Sequence, residues 1–284
     1  MNYHMANENE QALELVKEVA KEVAKDAYAD VGRPVVKPTG ELVGLVPRAI
    51  KAALASVEKW VLQREYNVAE TKKLLEEKLQ NITPAFIESP EPHIAVPALQ
   101  YISYCMDNEE LRDMYANLLA NSMNSVVKNG VHPGFVEIIK QLSPDEAKFL
   151  KYMKDHKSIP TIGLHYEHED YKKGFVEIIK EFTNVPALAG CENQYSGEQY
   201  IDNLVRLGLV VRDTTNSFTD KTRYEPLKND PEFAKYNDVE IAKQHGFEKC
   251  EIVEHFVSLT VFGEKFCSIC LSTARIIDGD MQLL

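Results

Sequence analysis

The sequence predicts a mostly α-helical protein, in which a helical N-terminal domain precedes a winged-helix-like α+β C-terminal domain with a short β-hairpin. Three observations lead to this prediction: an apolar stripe with helical spacing in mid-chain, a capped helix start at Ser143, and the order of elements in the C-terminal third. With 284 residues the chain is long enough for two domains. We place a charged helix and linker at 1–33, the helical domain at 34–130, and the winged-helix-like domain with its inserted loop and helix at 131–284.

The central stripe predicts one amphipathic helix. Asp107 is placed to cap it, with Glu110 three residues later. A second helix should begin after Ser143, because Pro144 suits the first helical position and Glu146 can complete a capping box. The residues that form the stripe are Leu111, Met114, Tyr115, Leu118, Leu119, Ser122 and Val126.

Three stretches of this region carry a family resemblance. They read PHIAVPALQYI, ELRDMYANLLANSMN and HPGFVEIIKQLSPDEAKFL, and they resemble the abortive infection alpha family of bacterial proteins. The resemblance runs from about Pro34 to the helix that begins at Ser143, and more loosely through the C-terminal third. It implies a role in defence against bacteriophage. It supplies no catalytic residues, so none is assigned.

The C-terminal third predicts the winged helix. A helix after Ser196 should end at Gly208, followed by a strand through Val211 and, after an inserted segment, a second strand, FVSLT. Thr260 then opens a last helix. With the helix after Ser143, this order is typical of a winged-helix domain.

The charges of this module disfavour DNA as its partner. The helix that would enter the major groove carries Glu198 and Asp202 against Arg206, and the wing offers only Lys221 and Arg223. The net charge of the whole chain, -12, points the same way. We therefore interpret the module as a protein-interaction or dimerisation unit. A DNA-binding transcriptional regulator is the alternative.

The heptapeptide GFVEIIK occurs twice, at Gly134–Lys140 and Gly174–Lys180. The flanks of the two copies differ, and there is no third copy, so we interpret them as a local duplication or as two helices that dock on similar surfaces. Between them lie His165, His168 and Glu169, which are candidate metal ligands by residue type. The sequence there predicts a solvated acidic loop, and we expect it to contact a partner and not a metal.

Two N-terminal segments have helical patterns. Val16, Val19 and Val23 form a thin apolar seam that suits either a partner helix or the protein's own domain. Residues 41–64 form a mildly basic amphipathic helix, which we favour as a core element. The same helix could lie on a membrane, which gives a membrane-active toxin as a further alternative.

No catalytic motif, cofactor motif, signal peptide or membrane span is recognisable, so we expect a cytoplasmic protein that is not an enzyme. Five cysteines, including the pair Cys267 and Cys270, are expected to be reduced thiols. The best case for hidden chemistry is a polar groove beside the central stripe, formed by Glu109, Glu110, Arg112, Asp113, Asn117 and Asn121. We predict a non-catalytic anti-phage defence protein that contacts a phage or host protein, with a homo-oligomer also compatible.

Overall fold

A computed structural model of the chain describes residues 68–80, 82–102, 104–105, 107–277 and 280–283. These residues form two compact units. The first unit contains the described residues up to Gln141 and those from Ser268 onward, and the second unit is Leu142–Cys267.

The described α-helices are numbered in chain order. They are α1 (Val68–Leu79), α2 (Pro92–Ile102), α3 (Glu109–Ser122), α4 (Gly134–Lys140), α5 (Pro144–His156), α6 (Val185–Leu188), α7 (Gly197–Arg206), α8 (Glu225–Lys228), α9 (Pro231–Ala234), α10 (Val239–Gln244) and α11 (Val261–Cys270). The strands are β1 (Ser158–Glu167), β2 (Phe175–Phe182), β3 (Val210–Asp213), β4 (Lys249–Leu259), β5 (Ala274–Ile277) and β6 (Asp280–Leu283).

Helix α3 is the centre of the first unit, as its apolar stripe predicted. It packs against α1, α2 and α4, and β5 and β6 form a separate antiparallel hairpin. The N-cap is Asn108 and not the predicted Asp107, because the Asn108 side chain accepts a hydrogen bond from Leu111 N. Val126 lies beyond the end of α3 and is exposed. The buried members of the stripe are Met114, Tyr115, Leu118, Leu119 and Ser122.

The second unit is built on a four-stranded antiparallel sheet with the order β2-β1-β4-β3. One face of the sheet carries a core that includes Ile162, Leu164 and Tyr166, against which Tyr224 and Phe233 pack. The predicted capping box of α5 is present: Ser143 Oγ accepts from Glu146 N.

The sheet corrects two predictions about the fold. The predicted strands β3 and β4 do pair, but β4 also pairs along nearly its whole length with β1, in a segment for which the sequence predicts a loop. Alternating apolar residues such as Ile162 and Leu164 bury one face of β1, which stabilises a strand there. The protein is therefore mixed α+β and not mostly α, and the described residues do not show a winged helix.

The two copies of GFVEIIK also differ from the prediction. The first copy is helix α4, but most of the second copy lies in strand β2. The expectation of two similar helices is wrong for the second copy. No helix among the described residues is both long and apolar enough to cross a membrane.

Candidate functional site

A polar cavity of about 440 Å³ lies within the first unit. Helices α1 and α3 form two of its walls, and the segment after α11 forms the third. We call it the polar cavity. Its lining residues are Leu74, Glu77, Lys78, Glu109, Arg112, Asp113, Asn117, Leu271, Ser272 and Thr273.

An ion pair joins the two helical walls. Lys78 of α1 contacts Asp113 of α3 through its ammonium group. Asp113 also accepts a hydrogen bond of 3.0 Å from the side-chain amide of Asn117, one turn along the same helix. The cavity wall is therefore tied together by charged and polar contacts.

Two buried asparagines hold the third wall in place. Asn121 Nδ2 donates to the carbonyl oxygens of Ile269 and Ser272, at 2.7 Å each. Asn117 Nδ2 donates to Cys270 O at 3.1 Å, and Asn117 Oδ1 accepts from Thr273 Oγ1 at 2.9 Å. The last carbonyls of a helix lack partners within the helix, so these amides act as a tertiary cap for α11. They fix the segment that closes the cavity.

The charges of the cavity do not cancel. Glu77, Glu109 and Asp113 oppose Lys78 and Arg112, so the lining carries a formal charge of −1. The carboxylates of Glu77 and Glu109 are exposed, and no ion pair or hydrogen bond joins either of them to another described residue. These two groups are the negative charges that a ligand could reach.

The groove predicted from sequence is present in part. Glu109, Arg112, Asp113 and Asn117 line the polar cavity. Asn121 is fully buried behind it.

A second candidate, the His165 surface, lies in the second unit and consists of His165, Phe175, Val176 and Glu177. The imidazole ring of His165 stacks on Phe175 with 4.2 Å between ring centres, and its Nε2 lies 3.8 Å from Glu177 Oε1. Phe175 is 59% exposed and Val176 is 40% exposed. Both belong to β2, which is an edge strand of the sheet.

His255 of β4 contributes to the electrostatics beside this surface. Burial lowers the pKa of its imidazole, and the neighbouring His165 lowers it further, while Asp213 and Glu177 act in the opposite direction. The net result is a pKa below the ordinary histidine value. His255 therefore favours its neutral form in the folded protein.

The structure separates the candidate metal ligands. His165 contacts Glu177, but His168 Nδ1 lies 3.1 Å from Glu248 Oε2, and the same carboxylate accepts from Glu169 N at 3.1 Å. Within the part of the chain that the structure describes, no three His, Cys, Asp or Glu residues are grouped so that they could hold a metal ion.

The basic residues predicted for the wing make contacts within the second unit. Lys221 donates to Glu254, and Arg223 donates to Ser158 O and covers the ring of Phe218 at 3.6 Å. Arg206, at the end of α7, donates to Asn203.

The acidic residues of helix α7 also form ion pairs within the second unit. Asp202 contacts Arg212 and Lys180, and Glu198 contacts Lys180. The predicted interaction residues Val16, Val19 and Val23, and the helix predicted at 41–64, lie outside the described residues.

Sequence reasoning missed two parts of these sites. Glu77 and Lys78 lie on α1, and nothing in the sequence indicated that this helix would face α3. Phe175 was missed because its heptapeptide was interpreted as a helix. A signal was available there: two stretches rich in β-branched and aromatic residues flank the polar turn HEDYKKG, which is typical of a hairpin.

Comparison with known proteins gives one structural match and one family. The chain is similar to an uncharacterized protein from the hydrocarbon-degrading marine bacterium Alcanivorax borkumensis SK2, with 19% sequence identity and a TM-score of 0.34, over 49% of this chain and 92% of that one. No curated protein matches the chain. The model of the family named abortive infection alpha matches residues 63–270. The chain therefore belongs to the abortive infection alpha family, as its sequence predicted.

Proposed function

We propose that this protein acts in abortive infection as a non-catalytic, cytoplasmic defence protein, and that its His165 surface contacts a phage or host protein. Membership of the abortive infection alpha family supports the defence role. The observation that supports protein contact is the exposed Phe175 on an edge strand.

Exposure of this side chain favours a binding role. Complete burial of a phenylalanine side chain stabilises a protein by roughly 1.5–3 kcal/mol, so covering the exposed part of Phe175 would contribute a sizeable fraction of that to a complex. Stacking on His165 holds the ring in place before binding, which limits the loss of side-chain entropy.

The position of β2 supports the same proposal. An edge strand has backbone N–H and C=O groups that face away from the sheet, and an extended segment of another protein can pair with them. Side chains on both sides of the strand, Phe175 and Val176, would add apolar contacts. The proposal requires no cofactor.

Protein is a better partner than DNA on charge grounds. Lys221 and Arg223 are already engaged with Glu254, Ser158 and Phe218, so their charges are partly neutralised or shielded. Phosphate binding needs several cationic side chains on one surface.

A phage-challenge assay tests the proposal. Bacteria that express the wild type should give fewer plaques than bacteria that express Leu118→Asp, because a charge at this fully buried position should unfold the first unit. Phe175→Asp should lose protection and remain folded. Val211→Asp is the matched control, because Val211 is 51% exposed on β3, at the other edge of the sheet, and this variant should protect as the wild type does.

Full protection by a folded Phe175→Asp variant would overturn the proposal. Light scattering of the purified wild type and Phe175→Asp identifies one class of partner. A mass that falls from dimer to monomer in the variant would mean that the surface binds a second copy of this chain.

A further inference from the structure

We infer that the polar cavity of the first unit binds an organic cation: an ammonium or guanidinium group on an aliphatic stem. The inference rests on the size of the cavity, its net negative charge, its apolar walls and the hydrogen bonds that fix its frame. It does not depend on the His165 surface, which lies in the other unit.

The volume of the cavity indicates the size of ligand. About 440 Å³ falls in the range of small-molecule sites, which is roughly 300–1,000 Å³. This is much larger than a metal ion needs, and the first unit groups no set of metal ligands among its described residues. An organic group of several heavy atoms fits better.

The charges indicate the sign of the ligand. Lys78 is neutralised by Asp113, which leaves Glu77 and Glu109 against the single positive charge of Arg112, a formal charge of −1. Glu109 is in the first turn of α3, where the helix dipole contributes about half a positive charge. That partial charge cannot cancel the remaining formal charge of −1, so the open part of the cavity attracts cations.

The walls indicate a ligand with an apolar part. Leu74 of α1 and Leu271, after α11, are both half-buried at the cavity. An aliphatic stem could pack against them while its charged end reaches Glu77 or Glu109, in the way that lysine and arginine side chains cover apolar surfaces. Agmatine and the side chain of arginine share this chemistry.

The frame of the cavity is fixed in advance. Asn117 and Asn121 hold the segment with Leu271 through buried hydrogen bonds to Ile269, Cys270 and Ser272. A ligand would therefore not have to order this wall when it binds, which favours affinity.

The experiment is a calorimetric titration of the full chain with two cations and one anion. Agmatine represents a free amine, the peptide acetyl-Gly-Arg-Gly-amide represents a basic side chain of a protein partner, and glutarate is the probe of opposite charge. We expect saturable binding of agmatine that weakens as salt is added, and no binding of glutarate. Binding of the peptide as well would assign the site to a protein side chain, and binding of agmatine alone would assign it to a free amine.

Variants assign the binding to the cavity. The double variant Glu77→Gln with Glu109→Gln should weaken agmatine binding by about tenfold or more. The substitutions replace both carboxylates with neutral amides, so the ligand loses its charge-assisted contacts. Glu76→Gln is the matched control: Glu76 is the neighbour of Glu77 on α1 but does not line the cavity, and this variant should bind as the wild type does. Each single variant provides the same test if the double variant does not fold.

Two results would overturn the inference. The first is the absence of saturable binding by agmatine and the peptide up to millimolar concentrations. The second is binding of equal strength by the wild type and a folded double variant.

Discussion

The two copies of GFVEIIK have the same seven residues and different structures. In the first unit, Gly134–Lys140 is helix α4, and its four apolar side chains, Phe135, Val136, Ile138 and Ile139, are buried. In the second unit, most of the second copy forms part of edge strand β2, where Phe175 is 59% exposed. The intrinsic propensities of the two copies are identical, so the surroundings of each copy decide its structure.

The flanks of the first copy favour a helix. Pro133 already has helical backbone angles (φ −55°, ψ −35°), and His132 Nδ1 accepts a hydrogen bond from Gly134 N. The apolar residues at the second, third, fifth and sixth positions then share one helix face. That face packs on α3 and α2.

The flanks of the second copy favour a strand. A short 3₁₀ helix at Tyr171–Lys173 and Gly174, with φ +82°, turn the chain back along β1. The pairing with β1 is irregular between Glu177 and Ile179, and both Ile178 and Ile179 pack against the core. A bulge thus allows a sequence with helical spacing to pack both isoleucines against the core from a strand.

The largest expected difference between the copies concerns their phenylalanines. Phe135→Ala should lower the free energy of unfolding of the first unit by about 3–5 kcal/mol, because it opens a cavity at a fully buried position. Phe175→Ala should lower that of the second unit by about 1 kcal/mol or less, since it loses mainly the stacking contact with His165. Native-state hydrogen exchange measures each unit separately.

Similar losses in both variants would contradict the contrast in burial between the copies. The matched design removes any effect of residue type, because the same substitution is made at the same place in the same heptapeptide.

The glycines of the two copies give a smaller difference. Gly174→Ala should destabilise the second unit by about 1 kcal/mol, because a side chain at φ +82° is strained. Gly134→Ala should change the stability of the first unit by less than about 0.5 kcal/mol. Its methyl group would lie 3.0 Å from Nδ1 of His132, so this exposed side chain would have to rotate and lose its hydrogen bond with the backbone N–H of residue 134, a loss that the higher helix propensity of alanine offsets. Hydrogen exchange again measures both, and equal costs would show that backbone conformation does not separate the copies.

The sequence predicted best where local and tertiary preferences agree. The stripe of α3, the capping box at Ser143 and the helix stop at Gly208, with φ +73°, are all present. By contrast, the need for glycine at Gly263 can be recognised only in the structure, where a Cβ atom would lie 1.9 Å from Leu209 O. Prediction failed for β1, which pairs with the distant strand β4, and for β2, whose hairpin with β1 has a sequence that also fits helical spacing.

The residues of the candidate sites divide in the same way, into those found from a local pattern and those that depend on tertiary contacts. Four of the six groove residues were found because they lie on one helix with a clear period, beginning at Glu109. Glu77 and Leu271 were missed, since each joins the cavity only when α1 and the segment after α11 pack beside α3. Phe175 was missed because helical spacing alone could not exclude a bulged strand.

The smallest expected difference concerns the glutamates of the two copies. Glu177 opposes the effects of burial and of the neighbouring His165, which together lower the pKa of His255. Glu177→Gln should therefore lower this pKa further, whereas Glu137→Gln, at the same position of the first copy, should leave it unchanged, because Glu137 pairs with Lys140 in the first unit. An NMR titration of the His255 ring measures both variants.

The sign of the linked change in stability follows from the direction of this pKa shift. The unfolded chain binds a proton at His255 more readily than the folded chain does, so the contribution of neutral His255 is present above the unfolded histidine pKa, about 6.5. It is lost as the pH falls from there through the lower folded pKa. Glu177→Gln should make the second unit more sensitive to acid, and Glu137→Gln should not. A His255 pKa above the ordinary histidine value in the wild type would reverse this sign and contradict the burial of the ring beside the second copy.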